Sequence, residues 1–318
     1  MKLKVFCLVC LVVALLSGCK KAAPTPTVEA PKVDVRDTFY FLAANNRDPF
    51  YVPGVKGLND AAASLGMKAE FVGPMDLNMA EHYRVFEQLI VNPDTAGIML
   101  YPTDPSIQGP LILEAQAKGI PVVMAAADSP TPLRDAFVGY DNAILGVQAA
   151  EWAASLIGGQ GTVGTMGLIT AGGVMERAEA FAAHLRANYP GITVVEGGTH
   201  DGSAEGEVKA LDSYMIANPD LTLLWWADGA AATVAQPVKE RQEAGLKTLF
   251  LATDMPDATL QAVKDGVFVG SVGQDTYTEA YWSVLVLNQL RLGQRVPDTL
   301  YLSAIMVDKS NVDQYLSK

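Results

Sequence analysis

One local pattern, a short apolar run followed by a polar turn and an amphipathic helix, recurs along most of this chain. Its first copy covers residues 38–65, where the run at 38–44 is rich in Phe, Tyr and Ala. Pro49 lies in the turn, and from Val55 onward apolar residues return every three or four positions. Such a run is typical of a strand buried on both faces of a sheet, and the later spacing is typical of a helix.

Similar apolar runs follow up to residue 307, and helical patterns separate most of them. Strands that alternate with helices of this length form βαβ units and mostly parallel sheets. The predicted strands are 68–73, 96–101, 121–127, 136–140, 161–168, 193–197, 221–227, 248–253, 267–273 and 300–307. With 318 residues, 50% of them hydrophobic, the chain is long enough for two such domains. We therefore predict an α/β fold with two Rossmann-like lobes.

The N-terminus has the pattern of an export signal. Lys2 and Lys4 precede an apolar segment at 5–16, and Leu-Ser-Gly-Cys at 16–19 is typical of a bacterial lipobox. We predict a signal peptide over residues 1–18 and a lipidated tether over 19–36, with the lipid on Cys19. The protein would then be a periplasmic or extracytoplasmic lipoprotein of the cell envelope, held to a membrane by its N-terminal lipid.

Composition and motifs exclude several classes of function. The formal net charge of −12 argues against a nucleic-acid partner, because the phosphate backbone needs a basic surface. Beyond the predicted cleavage site the chain contains no HExxH, CxxC, P-loop or GxSxG motif. We therefore predict no enzymatic activity, no cofactor and no metal, and we expect a monomer.

Candidate ligand-binding residues lie mainly in the loops that follow predicted strands. In open α/β sheets, ligands bind beyond the carboxyl ends of the strands. Carboxylates and amides can pair the hydroxyl groups of a polar ligand, and aromatic rings can cover its C–H faces. The candidates are Asn45, Asn46, Phe50, Tyr51, Tyr101, Asp128, Glu176, Trp226, Asp228, Asp254 and Gln274. Trp225 and Trp226 are neighbours on a strand, so at most one of them faces a cleft from the strand itself.

Several of these segments resemble the ribose-type (type I) periplasmic sugar-binding proteins. The resemblance covers the Phe-Tyr pair at 50–51, Gly-Ile-Pro-Val-Val at 119–123 and Val-Gly-Tyr-Asp-Asn at 138–142. It extends to Thr-Asp-Met-Pro at 253–256 and Ser-Val-Gly-Gln at 271–274. It implies two lobes joined by three crossing segments, near Tyr140, Gln274 and residues 293–297. The lobes would comprise 37–139 plus 276–295 and 140–275 plus 298–318.

Two departures from the family pattern leave the ligand open. Relatives usually carry an arginine directly after the first ligand aspartate, where Ser129 follows Asp128 here, and another in the glycine turn, near Met175. Arginine holds several hydroxyl groups in a bidentate way, so this site is predicted to be more acidic and more apolar. A deoxy or methylated sugar, an amine-bearing ligand and a larger apolar one all remain open.

The resemblance implies a lipid-anchored, solute-binding protein of an ABC importer. It would bind a small, carbohydrate-like ligand between two lobes and present the closed form to a permease. A ligand-sensing subunit for a chemoreceptor or histidine kinase is the alternative, and the sequence does not separate the two. Two facing acids could also hydrolyse a glycosidic bond, but no feature marks one as acid and the other as base.

Overall fold

The computed structural model describes residues 35–316 apart from 48, 77, 129–132 and 169–171. The predicted signal peptide, Cys19 and nearly all of the predicted tether lie outside the described residues. Within them the chain forms two parallel-sheet lobes with helices on both faces, which confirms the predicted fold class. No helix in the described ranges is long and apolar enough to cross a membrane.

The N-terminal lobe is built on a parallel sheet in the order β12-β5-β4-β3-β1-β2. Its strands are β1 (Thr38–Leu42), β2 (Lys68–Val72), β3 (Thr95–Leu100), β4 (Val122–Met124), β5 (Ala136–Gly139) and β12 (Thr299–Tyr301). Its helices are α1 (Val52–Ser64), α2 (Met79–Val91), α3 (Pro105–Ala117) and α9 (Thr276–Arg291). Helices α1 and α9 pack on one face of the sheet, and α2 and α3 pack on the other.

The C-terminal lobe repeats this plan, with the sheet order β13-β11-β10-β9-β6-β7 and with β8 paired to β6. Its strands are β6 (Gly161–Gly167), β7 (Ile192–Val194), β8 (Gly198–Thr199), β9 (Leu223–Trp226), β10 (Leu249–Thr253), β11 (Gly270–Gly273) and β13 (Ile305–Val307). Its helices are α4 (Asn142–Leu156), α5 (Gly172–Asn188), α6 (Ala204–Ala217), α7 (Ala231–Glu243) and α8 (Asp257–Lys264). Only β13, at the edge, pairs antiparallel to its neighbour among the described strands.

Each lobe has one helix pair whose backbones approach closely at a glycine. A Cβ atom on Gly57 of α1 would lie 2.2 Å from the carbonyl oxygen of Tyr277 in α9. A Cβ atom on Gly146 of α4 would lie 2.1 Å from the carbonyl oxygen of Arg177 in α5. These two contacts therefore require glycine, and the second one packs α4 against the turn of α5 that carries Arg177.

Three segments cross between the lobes, and the third corrects a prediction. The first two follow β5 and β11, near Tyr140 and Gln274 as expected, and the Tyr140 hydroxyl accepts a hydrogen bond from the Asp275 amide at 2.6 Å. The predicted strand 300–307 is split, because β12 pairs with β5 of the first sheet while β13 pairs with β11 of the second. The third crossing is thus at 302–304 and not at 293–297. The last segment of the C-terminal lobe therefore begins after this crossing and not at residue 298.

Candidate functional site

A cleft of about 780 Å³ lies at the carboxyl ends of strands from both sheets. Its lining residues include Tyr101 after β3, Ala126 after β4, Asp228 after β9, Asp254 after β10 and Gln274 after β11. Parallel strands align their carboxyl ends, which is why residues so distant in sequence meet here. Six of the predicted site residues line the cleft: Phe50, Tyr51, Tyr101, Asp228, Asp254 and Gln274.

The N-terminal lobe contributes an aromatic wall. Phe50 and Tyr51 lie in a 3₁₀ turn before α1, with their ring centroids 5.2 Å apart and nearly perpendicular. Tyr51 is anchored from behind by Phe41 of β1, whose ring is 5.4 Å away in an edge-to-face contact. With Tyr101 these rings offer a preformed apolar surface, of the kind that covers the C–H face of a ring or chain.

The C-terminal lobe contributes most of the charged groups. Arg177 is 8% exposed, and its guanidinium donates from Nε to Asn142 Oδ1 at 3.0 Å and from Nη1 to the Ala227 carbonyl at 3.3 Å. Burial lowers the pKa of Arg177, while the carboxylates of Asp254 and Asp228 raise it. Arginine stays protonated in proteins, so the site contains a fixed positive charge beside acidic groups.

Asp228 lines the cleft, but its own carboxylate is fully engaged by the protein. Oδ1 accepts from Trp226 Nε1 at 2.9 Å and from the Ala230 amide at 3.1 Å. Oδ2 accepts from the Leu168 amide at 2.6 Å and from His200 Nε2 at 2.9 Å. A carboxylate offers about four acceptor positions. Protein donors occupy all four positions of Asp228, so this side chain connects the loops and has no acceptor position left for a ligand.

His200 is positioned by the same network, and its tautomer follows from its partners. The Gly202 amide donates to Nδ1 at 3.1 Å, so this nitrogen carries no proton and Nε2 is the one that donates to Asp228. The ring stacks on Trp226 with centroids 5.6 Å apart and an interplanar angle of 21°. This neutral imidazole is therefore a fixed part of the cleft wall.

Asp254 and Ala126 share an uncommon backbone conformation. Each has φ of +66°, and they are the only residues other than glycine with positive φ in the described part of the chain. Asp254 is 6% exposed, and its carbonyl accepts a hydrogen bond from Ser271 Oγ at 2.6 Å. Strained residues of this kind cluster at ligand sites, and both of these line the cleft.

The loop of Ala126 is held from inside the N-terminal lobe by Glu279 of α9. The Ala126 amide donates to Glu279 Oε1, and Glu279 is 2% exposed. Burial raises the pKa of Glu279 to about 8. A buried carboxyl group thus supports one wall of the cleft without lining it.

The other five predicted site residues do not line this cleft. Asn46 Nδ2 donates to the Gly73 carbonyl at 3.2 Å, and Asn45 Oδ1 accepts from the Arg47 amide at 3.2 Å. Trp226 is 2% exposed and packs in the core behind Asp228, while Trp225 packs on Phe181 on the opposite face of the sheet. Neither tryptophan therefore faces the cleft.

Asp128 and Glu176 lie in an adjoining recess of about 280 Å³. The chain turns at Ala126, so Asp128 points to Arg134, which binds it through Nε at 2.5 Å and Nη2 at 2.7 Å. Arg134 also contacts Asp298 at 3.0 Å, just before β12. The predicted strand 121–127 ends at Met124, and this early end brings Ala126, and not Asp128, to the cleft.

Sequence reasoning missed several residues that line the cleft: Ala126, Asn142, Arg177, His200 and Glu207. The resemblance places the family's second arginine near Met175, whereas the arginine that lines the cleft is Arg177, two positions later. A charged side chain near the start of a helix that follows a predicted strand is a sequence signal that could have identified Arg177. Within the described ranges no cluster of His, Cys, Asp and Glu side chains could hold a metal ion.

Comparison with known proteins gives matches over most of the chain. A family model described as periplasmic binding protein domain matches residues 39–295. A xylitol-binding protein from Mycolicibacterium smegmatis is 25% identical over 228 residues, which cover 70% of this chain and 64% of that relative's length.

Solved structures are similar over most of the chain. The arabinose-binding protein AraP of Geobacillus stearothermophilus has a TM-score of 0.81 at 24% identity, covering 88% of this chain and 99% of that one. A solute-binding protein from Burkholderia graminis, in complex with D-arabinose, has a TM-score of 0.77 at 26% identity, covering 88% and 97%. A sugar-binding protein of a Bacillus halodurans ABC transporter has a TM-score of 0.79 at 25% identity, covering 87% and 98%.

Proposed function

Because this chain belongs to the periplasmic binding protein family, we propose that it binds a sugar or a sugar-like polyol between its two lobes and delivers it to an ABC permease. Its relatives are solute-binding proteins and not enzymes, as the sequence predicted. The relatives named for arabinose and xylitol support a ligand of this class. The observation that carries the proposal is one cleft with an aromatic wall from one lobe and a charged wall from the other.

The mechanism follows from the arrangement of these two walls. Asp254 and Arg177 offer an acceptor and a donor to ligand hydroxyl groups, and Phe50 lies on the opposite lobe. A ligand that contacts both lobes at once stabilises a closed form more than an open one. The three crossing segments are the hinge. The hydrogen bond from the Asp275 amide to the Tyr140 hydroxyl links two of these segments.

A thermal shift assay of the purified protein tests this function. The probes are xylitol, D-arabinose, D-glucose, D-galactose and D-tagatose. At 100 times its dissociation constant a ligand stabilises the folded state by about 2.7 kcal/mol, which raises Tm by several degrees. If no probe raised Tm at millimolar concentration, the proposed function would be wrong.

The anchoring and the transport partner are tested separately. We propose that Cys19 carries the lipid, so Cys19→Ala is expected to move the protein from the membrane fraction to the soluble fraction. Deletion of the gene is expected to abolish uptake of the ligand found in the thermal assay. Normal uptake in the deletion strain would instead favour a sensory role.

A further inference from the structure

Glu207 is a buried acid that borders the cleft and has no role in the contacts described so far. It lies on the first turn of α6, it is 5% exposed, and it lines the cleft on the side of the C-terminal lobe. Its Oε2 atom has no hydrogen-bond partner among the described residues. Buried carboxyl oxygens are nearly always paired in folded proteins, so an unpaired one needs an explanation.

The neighbouring ring of His200 does not supply the missing hydrogen bond. Burial raises the pKa of Glu207, and a hydrogen bond from Thr233 lowers it. The imidazole of His200 is committed to Asp228 and to the Gly202 amide. The protein therefore holds an unused acceptor at the edge of a ligand-sized space.

We propose that Glu207 accepts a hydrogen bond from a donor group of the bound ligand, a hydroxyl or an ammonium group. The proposal rests on the proposed function and adds a contact to it. A buried polar group that is unpaired in the empty protein and paired in the complex favours binding over the empty state. It also rejects analogues without the donor, because they would leave Oε2 unpaired in the complex.

Two substitutions at this position test the proposal against a matched control. Glu207→Leu removes every acceptor, and Glu207→Gln keeps an acceptor oxygen but no charge. Glu205→Leu is the control, because Glu205 lies two residues earlier on the same helix, where it pairs with Lys209 at the surface. The dissociation constants of xylitol, D-arabinose, D-galactose and D-glucosamine are measured by calorimetry, together with Tm of each empty protein.

The expected result is an affinity loss of about 10- to 100-fold for Glu207→Leu, the range for a hydrogen bond to a charged group. Glu205→Leu is expected to bind like the wild type. Glu207→Gln distinguishes the donors: a small loss indicates a hydroxyl group, and a loss as large as that of Glu207→Leu indicates an ammonium group. The Tm of each empty variant is measured because Glu207→Leu also removes the hydrogen bond from Thr233, so a change in stability is separated from a change in affinity.

Equal affinities for Glu207→Leu and Glu205→Leu would overturn the proposal, and a lower Tm with unchanged affinity would make Glu207 a structural residue. If Glu207→Leu fails to fold, Glu207→Gln decides, and wild-type affinity for every probe would overturn the proposal. A wild-type protein that binds none of the probes would contradict the proposed function itself. Failure of the contact and failure of the function are therefore distinguishable.

Discussion

The two lobes have the same strand order but present different surfaces to the cleft. Ala126 and Asp254 lie at corresponding positions, after β4 and β10, and have the same φ of +66°. In the C-terminal lobe this position carries a carboxylate beside Arg177, whereas in the N-terminal lobe it carries a methyl group beside aromatic rings. The same backbone conformation thus supports the charged wall in one lobe and the aromatic wall in the other. We expect the charged wall to supply most of the binding energy.

The largest effect is expected when Asp254 is replaced by alanine, the residue at the corresponding position, Ala126, of the other lobe. Asp254→Ala is expected to weaken ligand binding about 100-fold, because a hydrogen bond to a buried charge is lost. The chain already accepts alanine in this conformation at Ala126, so the backbone is expected to be retained. Calorimetry checks the affinity, with exposed Asp265→Ala as the control. A loss of affinity of less than threefold would contradict the assignment of Asp254 to the charged wall.

The lobes also differ in their buried histidines, which gives a pH test. His200 is hydrogen-bonded, whereas His82 of the N-terminal lobe is 0% exposed and burial lowers its pKa to about 4. The folded state therefore favours neutral His82, and stability is full above the unfolded pKa of about 6.5 and is lost as pH falls towards 4. We expect a loss of about 2 kcal/mol between pH 7 and pH 5.

Urea denaturation at several pH values measures this loss. His82→Leu removes the titrating group at similar volume, so its stability is expected to change much less over the same interval. An unchanged pH slope in this variant would assign the acid sensitivity to other groups.

The aromatic wall is tested at Phe50, which belongs to the N-terminal lobe. Phe50→Ala is expected to weaken binding about tenfold, since one aromatic contact contributes about 1 kcal/mol beyond its buried area. Phe50→Trp keeps a ring in place and is expected to retain most of the affinity. Equal affinities of Phe50→Ala and the wild type would show that Phe50 does not contact the ligand, and the aromatic wall would then consist of Tyr51 and Tyr101.

The smallest expected effect concerns the strain at Ala126. Glycine adopts positive φ without the penalty that a Cβ atom causes, so Ala126→Gly is expected to stabilise the empty protein by up to about 1 kcal/mol. Ala127→Gly is the control, because Ala127 lacks positive φ and gains nothing from the change. Thermal denaturation compares the two variants, and a lower Tm for Ala126→Gly would contradict the strain.

Much of the fold was predictable because its signals are local. The apolar spacing over 79–91 predicts a helix, and α2 covers the same residues. Asp141 is a residue type that commonly caps helices, and it caps α4 by accepting a hydrogen bond from the Ile144 amide at 2.9 Å. The split of residues 300–307 was not predictable, since each half is an apolar run and only its partner strand decides the sheet. The same is true of Asp128, whose direction depends on the turn at Ala126 and on Arg134.

By itself, the sequence determined the alternation of strands and helices, the polar loops at strand ends and the aromatic pair at 50–51. These follow from the periodicity of apolar residues and from turn-forming residues, which act over a few neighbours. Only the tertiary structure decided that Asp228 is saturated by four donors, that Arg177 is buried in the cleft and that Glu207 keeps an unpaired oxygen. The partners of these groups come from distant segments, so their chemistry exists only once the sheets bring those segments together.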